Sequence, residues 1–270
     1  IVDAGELDRV LADAMRFAPH VTAVDHPVPA RLQAVCEGRD AASREAFGVR
    51  FDWQDYGQHG LAARLVSDRP HGGVAWQWFR SPDILALLPF DRPEGGHSFA
   101  LVWSQPAAQA QAWREAEPAA FEAALMEATG GAAGTLRLAG GRAAWPLGLG
   151  RAERWSGDGW VLLGDAAHVV HPLAGQGLNL GLGDVITLSA LLEAARAHRA
   201  DADPADARLL RRYARERLLP TRAMGGVTDG LLHLFAHDAP VLRELRNHGL
   251  TLLDRLPPLK RWLAGRALEG

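Results

Sequence analysis

The sequence predicts an α/β protein in which an antiparallel sheet is set into a strand, turn and helix scaffold. Three observations carry that expectation. Residues 160–183 run from an apolar strand through a carboxylate-bearing turn into a glycine-rich helix start. Four short apolar runs follow one another between residues 60 and 103, and the chain beyond about residue 201 is helical in pattern.

Taken in order, residues 6–15 place Leu7, Val10, Leu11 and Met15 on one helical face, and 34–36 read as a short buried strand entering the Glu37-Gly38 loop. From about residue 51 the pattern changes to strands at 60–66, 74–79, 84–88 and 98–103. They are separated by Gly- and Pro-bearing turns at 68–73 and 91–96, so an antiparallel sheet follows. Two helices come next, at 107–115 and 118–128, with Pro118 in a first turn and Gly130-Gly131 ending the second. Trp160-Val161-Leu162-Leu163 has the length and branching of a buried strand, 178–198 read as a helix, and Asp201-Ala202-Asp203-Pro204 marks a boundary before the helical remainder.

The turn after residue 163 has the chemistry of a ligand cradle. Gly164-Asp165 ends the strand and leaves a carboxylate at its carboxyl end. Pro172 cannot continue a helix, and Gly175 and Gly177 let the backbone approach a flat ligand before Leu178 opens the helix. Free amides at that helix start favour negative charge.

At these residues the chain resembles a known family. Gly164-Asp165-Ala166-Ala167-His168, then Pro172, Gly175, Gly177, Asn179 and Asp184, look like the second flavin motif of the para-hydroxybenzoate hydroxylase class of FAD monooxygenases. Glu37-Gly38, Arg44 and Gly48 fall on the class's other motif, with Glu37 where the class has aspartate and Ala41 where it has serine. Tyr56-Gly57-Gln58, Arg69-Pro70-His71, Leu87-Leu88-Pro89 and the string from His171 to Asn179 resemble, more narrowly, the ubiquinone-biosynthesis hydroxylases that act on polyprenylated phenols.

The resemblance implies a para-hydroxybenzoate-hydroxylase-like FAD domain formed by 1–50 and 145–200, an inserted antiparallel β-sheet substrate domain over 51–144, and carboxyl-terminal helices over 201–270. It implies FAD as cofactor, NAD(P)H as co-substrate, and hydroxylation of a phenol by O₂ through a C4a-hydroperoxyflavin. Gly164, Asp165, Pro172, Gly175, Gly177, Leu178, Asn179, Glu37, Gly38 and Arg44 are the expected cofactor-binding residues, with Asp165 on a ribityl hydroxyl, Pro172 near the ring, and the amides of 177–179 at its pyrimidine edge. No side chain is assigned as catalytic acid or base, and no metal is expected.

The class begins with a βαβ unit bearing Gly-x-Gly-x-x-Gly, and the stretches from Gly175 and Gly181 have Leu180 and Ile186 where the third glycine belongs. The chain is therefore expected to be the carboxyl-terminal portion of a longer enzyme, binding FAD weakly and inactive by itself. Two other readings stay open: another FAD-dependent oxidoreductase on the same scaffold, and a non-catalytic partner in a quinone-synthesis complex. A halogenase is disfavoured because Trp76-Gln77-Trp78 runs into Phe79-Arg80 rather than reaching an isoleucine two residues on.

Composition bounds the class. A formal net charge of −3 argues against a nucleic-acid partner, and a single cysteine excludes an internal disulfide framework and fits a reducing cytoplasm. No uninterrupted apolar run approaches the roughly 20 residues that span a bilayer. Any contact with a membrane is expected to be peripheral, on its inner face; the leucine-rich 250–263 stretch with its basic neighbours is the candidate surface, and its plainer reading is a terminal helix docked on its own domain.

Each feature also has a plainer reading. Asp165 could cap a helix, and His168 and His171 could be satisfied structural histidines. Asp165, His168 and His171 would share a helical face suited to a metal, but Pro172 breaks that helix. Trp53, Trp76, Trp78 and Trp103 are expected as core rather than as a cofactor box, with Trp76 and Trp78 on one face of their strand.

Overall fold

The structure is a computed structural model that describes residues 3–170 and 177–236. It contains two sheets, each with its own core.

The smaller sheet has the order β1–β8–β7, with β1 (Gln33–Val35) parallel to β8 (Trp160–Leu162) and β7 (Ser156–Gly157) antiparallel to it. Its core gathers Val35, Val49, Trp155, Val161 and Leu162 against Leu188 and Leu191 of α5 (Gly177–His198) and Leu210 and Tyr213 of α6 (Ala207–Ala236). Tyr213 is wholly buried, and its hydroxyl donates to the Leu162 carbonyl at 2.9 Å, so α6 is tied to the last residue of β8. The short helix α2 (Ala42–Ala46) sits beside this sheet, while α1 (Ala4–Arg16) is joined to the larger sheet through the Asp3–Arg64 ion pair.

The larger sheet has the order β3–β4–β5–β2–β6–β9, from β3 (Trp76–Arg80), β4 (Asp83–Phe90), β5 (Ser98–Pro106), β2 (Phe51–Ser67), β6 (Leu136–Ala152) and β9 (His168–Val169). One face is covered by α3 (Ala107–Glu115) and α4 (Pro118–Thr129). There Leu61, Leu85, Leu101 and Trp103 pack against Phe121 and Leu125. Pro118 occupies the first turn of α4, and Gly130 closes it with a left-handed φ of +60°.

Two differences from the sequence reading matter. β2 starts at Phe51 rather than residue 60, and β6 covers 136–152, where no strand was expected. β6 holds Ala139-Gly140-Gly141 and Pro146, which give little alternation, so its strand state comes from pairing with β2 rather than from its own residues. The pairing runs from Phe51 opposite Ala152 to Ser67 opposite Leu136, with irregularities at Asp55/Gln58 and Ala63/Leu65. Consequently β2 and β6 extend from the larger core down to the smaller sheet, and the division expected after residue 144 falls inside β6.

The tryptophans divide similarly. Trp103 is core, Trp78 packs partly buried against it and stacks on an exposed Trp76, and Trp53 lines a groove instead.

Candidate functional site

β8 ends at Leu162 and Leu163 stays extended, so the chain must reverse at Gly164, whose φ of +58° is left-handed. Residues Gly164–Ala166 form one 3-10 turn, after which β9 pairs along β6. This turn is held by two buried side chains, Asp184 from α5 and Arg44 from α2.

Asp184 of α5 is fully buried and accepts three hydrogen bonds: from the Gly164 N–H at 2.8 Å, His168 Nε2–H at 2.7 Å and Arg217 Nε–H at 2.7 Å. Arg217 also donates to the Leu180 carbonyl at 3.0 Å, and the His168 ring stacks on Trp155 at 5.0 Å. Burial by itself would push the Asp184 carboxyl up, but the His168 hydrogen bond, Arg217 and the Gly164 amide together hold it below the ordinary aspartate range. From the other side, buried Arg44 donates to the Ala166 carbonyl at 3.1 Å with its guanidinium 4.1 Å over the Phe51 ring. Small residues let α5 come in: a Cβ on Gly181 would lie 3.4 Å from the Gly164 Cα.

Above the turn lies a groove of about 480 Å³. Its walls are Arg39 and Asp40 from the loop after β1, Trp53 of β2, residues 145–148 of β6, Asp165, Val169, Val170, and Gly177 at the start of α5. Arg39 pairs with Asp40 at 2.9 Å and lies 5.1 Å over the Trp53 ring. The Trp53 indole rests directly on β6, since a Cβ on Gly148 would come within 2.3 Å of it.

Asp165 opens into this groove and accepts no hydrogen bond from the described residues. The protein around it raises its carboxyl above the ordinary range by desolvation, with His168 and Arg39 drawing it partly back. A carboxylate with free lone pairs, two indole walls and a helix start where an added Cβ would meet nothing within 4 Å fit the ribityl chain and flat ring of a flavin.

Of the expected cofactor residues, Gly164, Asp165 and Gly177 meet at the groove, and Leu178 and Asn179 follow on the exposed first turn of α5. Pro172 and Gly175 lie outside the described residues, as does the candidate membrane surface at 250–263. Glu37 accepts from the Ser43 N–H at 3.0 Å and from its hydroxyl, which caps α2; Gly38 turns the loop with φ of +80°; and Arg44 sits beneath the groove. From that motif it is the neighbours Arg39 and Asp40 that reach the groove wall. Sequence reasoning missed them, although they directly follow Glu37-Gly38. It also missed Trp145 and Arg217, and Arg217 carries no local signal because only α6 docking brings it to Asp184.

A second cavity, of about 500 Å³, shares Trp53, Val169 and Val170 with the groove and is closed by Thr221, Arg222 and Gly225 of α6.

Residues 6–225 match the family described as FAD binding domain. Ubiquinone hydroxylase UbiL of Rhodospirillum rubrum is 33% identical over 241 residues, which cover 89% of this chain and 55% of that protein. The 3-demethoxyubiquinol 3-hydroxylase of Escherichia coli is 30% identical over 87% of this chain and 58% of its own length. The chain thus spans little more than half the length of these relatives. Among solved structures, p-nitrophenol 4-monooxygenase PnpA from Pseudomonas putida superposes with a TM-score of 0.75 over 100% of this chain and 73% of its own, at 17% identity, which is a likeness of fold. With the match covering most of its length, the chain belongs to the FAD binding domain family.

Proposed function

We propose that this chain carries the ring-binding and substrate-binding parts of an FAD-dependent monooxygenase that uses NAD(P)H and O₂ to hydroxylate an aromatic ring, its substrate being a polyprenylated phenol of ubiquinone biosynthesis. The observation that carries this reading is the groove in which Asp165 and the amino end of α5 face the indoles of Trp53 and Trp145. The printed names of the two relatives support the substrate class. A flavin held there would supply the redox chemistry, hydride acceptance from NAD(P)H and activation of O₂.

The chain's own contribution is binding and electrostatics. Asp165 would take a ribityl hydroxyl, and the amides at 177–179, at the positive end of the helix dipole, would favour negative charge on the bound ring. Trp53 and Trp145 keep that edge dry. The adjoining cavity against α6 offers space for the phenol next to the Trp53 and Val169 wall. The same reading assigns 51–144 to the substrate unit and 1–50 with 145–200 to the flavin unit, a division supported by the two separate cores.

For a substrate dissolved in a bilayer, peripheral attachment to the inner face of the membrane follows. It is supported by a groove of about 450 Å³ in which Arg50, Arg151, Arg154, Arg215 and Arg222 outnumber Asp52 and Glu153. α5 is the one described helix long and apolar enough to cross a membrane, but its Asp184 is committed to Arg217 inside the smaller core.

The reaction is tested with the full-length protein supplied with FAD, NADPH and a prenylated phenol under ¹⁸O₂. One labelled atom in a ring-hydroxylated product is expected. Product lacking the label would sink the proposal.

A further inference from the structure

Ala144 and Trp145 are neighbours on β6 and therefore point to opposite faces of the larger sheet. Trp145 lines the cofactor groove, whereas Ala144 packs into the core under α3 and α4. On that second face, between the sheet and the two helices, lies another cavity of about 610 Å³, walled by Trp78, Trp103 and Trp113. It is separated from the groove by the thickness of the sheet.

Two polar groups in this cavity are unusual. Trp103 is only 5% exposed, yet its indole N–H has no hydrogen-bond partner. A buried, unpaired donor costs roughly 1–3 kcal/mol, so folded proteins rarely leave one without an acceptor. Beside it is Asp83 at the start of β4, whose carboxyl is raised by loss of water and drawn partly back by the Trp103 N–H. The N–H and the carboxyl are thus close enough to interact, but they do not meet in the geometry of a full hydrogen bond.

An orphan donor next to a carboxyl, with no bond between them, is completed by a group that accepts from one and donates to the other. A hydroxyl does both. The indole walls ask for a flat apolar body attached to that hydroxyl. Asp83 and Glu127 oppose an anion, and Arg80 at the same opening opposes a cation, so the body is neutral.

We propose that the cavity between the sheet and α3/α4 is a second ligand site, distinct from the cofactor groove, that binds a neutral hydroxyarene by stacking among Trp78, Trp103 and Trp113 and by a hydroxyl bridging Trp103 Nε1–H and Asp83. β2 and β6 run from this core to the groove, so an occupant on one face and a flavin on the other share the same two strands. The inference does not depend on the reaction proposed above.

The test uses 2-naphthol as probe on the ¹⁵N-labelled chain. Trp103→Phe identifies the Trp103 indole N–H resonance by its disappearance, and the Trp53 and Trp145 resonances report the cofactor groove separately. 2-Naphthol is expected to shift the Trp103 signal saturably. 2-Methoxynaphthalene, which accepts but cannot donate, and naphthalene, which does neither, should bind about tenfold more weakly, the scale of one hydrogen bond. Asp83→Ala, at the half-buried rim where folding is least at risk, should weaken 2-naphthol by a similar factor while leaving naphthalene unchanged. An unmoved Trp103 resonance at the solubility limit, equal affinity for the three probes, or an indifferent Asp83→Ala would each overturn the proposal and leave the cavity to water.

Discussion

Asp184 has its carboxylate committed to three donors, while Asp165, on the turn those donors support, keeps its oxygens for the groove. Substitutions at the two should therefore fail differently. Asp165→Ala is expected to lower the FAD that the full-length protein retains through purification without shifting the melting temperature of the flavin-free protein, since no hydrogen bond from the described residues is lost. A drop in that melting temperature would place Asp165 in the structure rather than at the ligand. Arg217→Met, by contrast, leaves a buried carboxylate one partner short and should cost about 3–5 kcal/mol of stability, read in denaturant titration. The same network sets a pH dependence. The folded Asp184 carboxyl lies below its unfolded value, so its stabilisation is fully present above about pH 4–5 and fades as pH falls through the folded value. In Arg217→Met this acid-side loss should be smaller and complete at higher pH, because one of the groups depressing the Asp184 carboxyl is gone; an unchanged acid limb would contradict the assignment.

Among the elements, the start of α5 gives the sharpest separation of structure from ligand binding. Gly177 needs no left-handed φ, and a Cβ there would meet no atom, so Gly177→Ala is free of steric cost and gains helix propensity. The substitution is expected to keep or slightly raise the melting temperature of the flavin-free protein while weakening FAD several-fold, because the new methyl occupies groove space. Equal FAD affinity would move the ring away from this helix end. Gly148 behaves in the opposite way, since its Cβ would strike both the Trp53 indole and the Gln54 carbonyl. It is glycine because Trp53 lies across it. That relation is cross-strand, and nothing in the neighbouring residues of β6 announces it.

At the scale of the molecule, two cores are joined by the long β2–β6 pair, and five arginines gather where β6 meets α6 although the chain as a whole carries a net charge of −3. This local excess predicts sedimentation with anionic liposomes at low ionic strength and release at high salt, with each basic residue worth about 1 kcal/mol near the surface. Arg151→Glu combined with Arg222→Glu should abolish pelleting; unchanged pelleting by that pair would exclude the groove as the contact.

What the sequence determined by itself is local. The apolar run Trp160–Leu162, the glycine turn at 164, Pro118 opening α4 and the helix start at Gly177 each follow from residues within a few positions of one another. The flavin motif was legible for the same reason, as a strand, turn and helix contiguous in the chain. Tertiary structure decided the rest, because it depends on what lies opposite. Pairing with β2 makes β6 a strand despite its Ala and Gly content, and α6 docking brings Arg217 to Asp184. Packing of Trp53 onto Gly148 turns an expected core residue into a groove wall. Tertiary structure also placed the loop after β1, where Glu37 caps α2 and Arg39 and Asp40 face the groove. Short-range conformational preference is written in neighbouring residues, whereas the partners of a buried charge or a β-strand come from distant parts of the chain and are fixed only when the cores close around them.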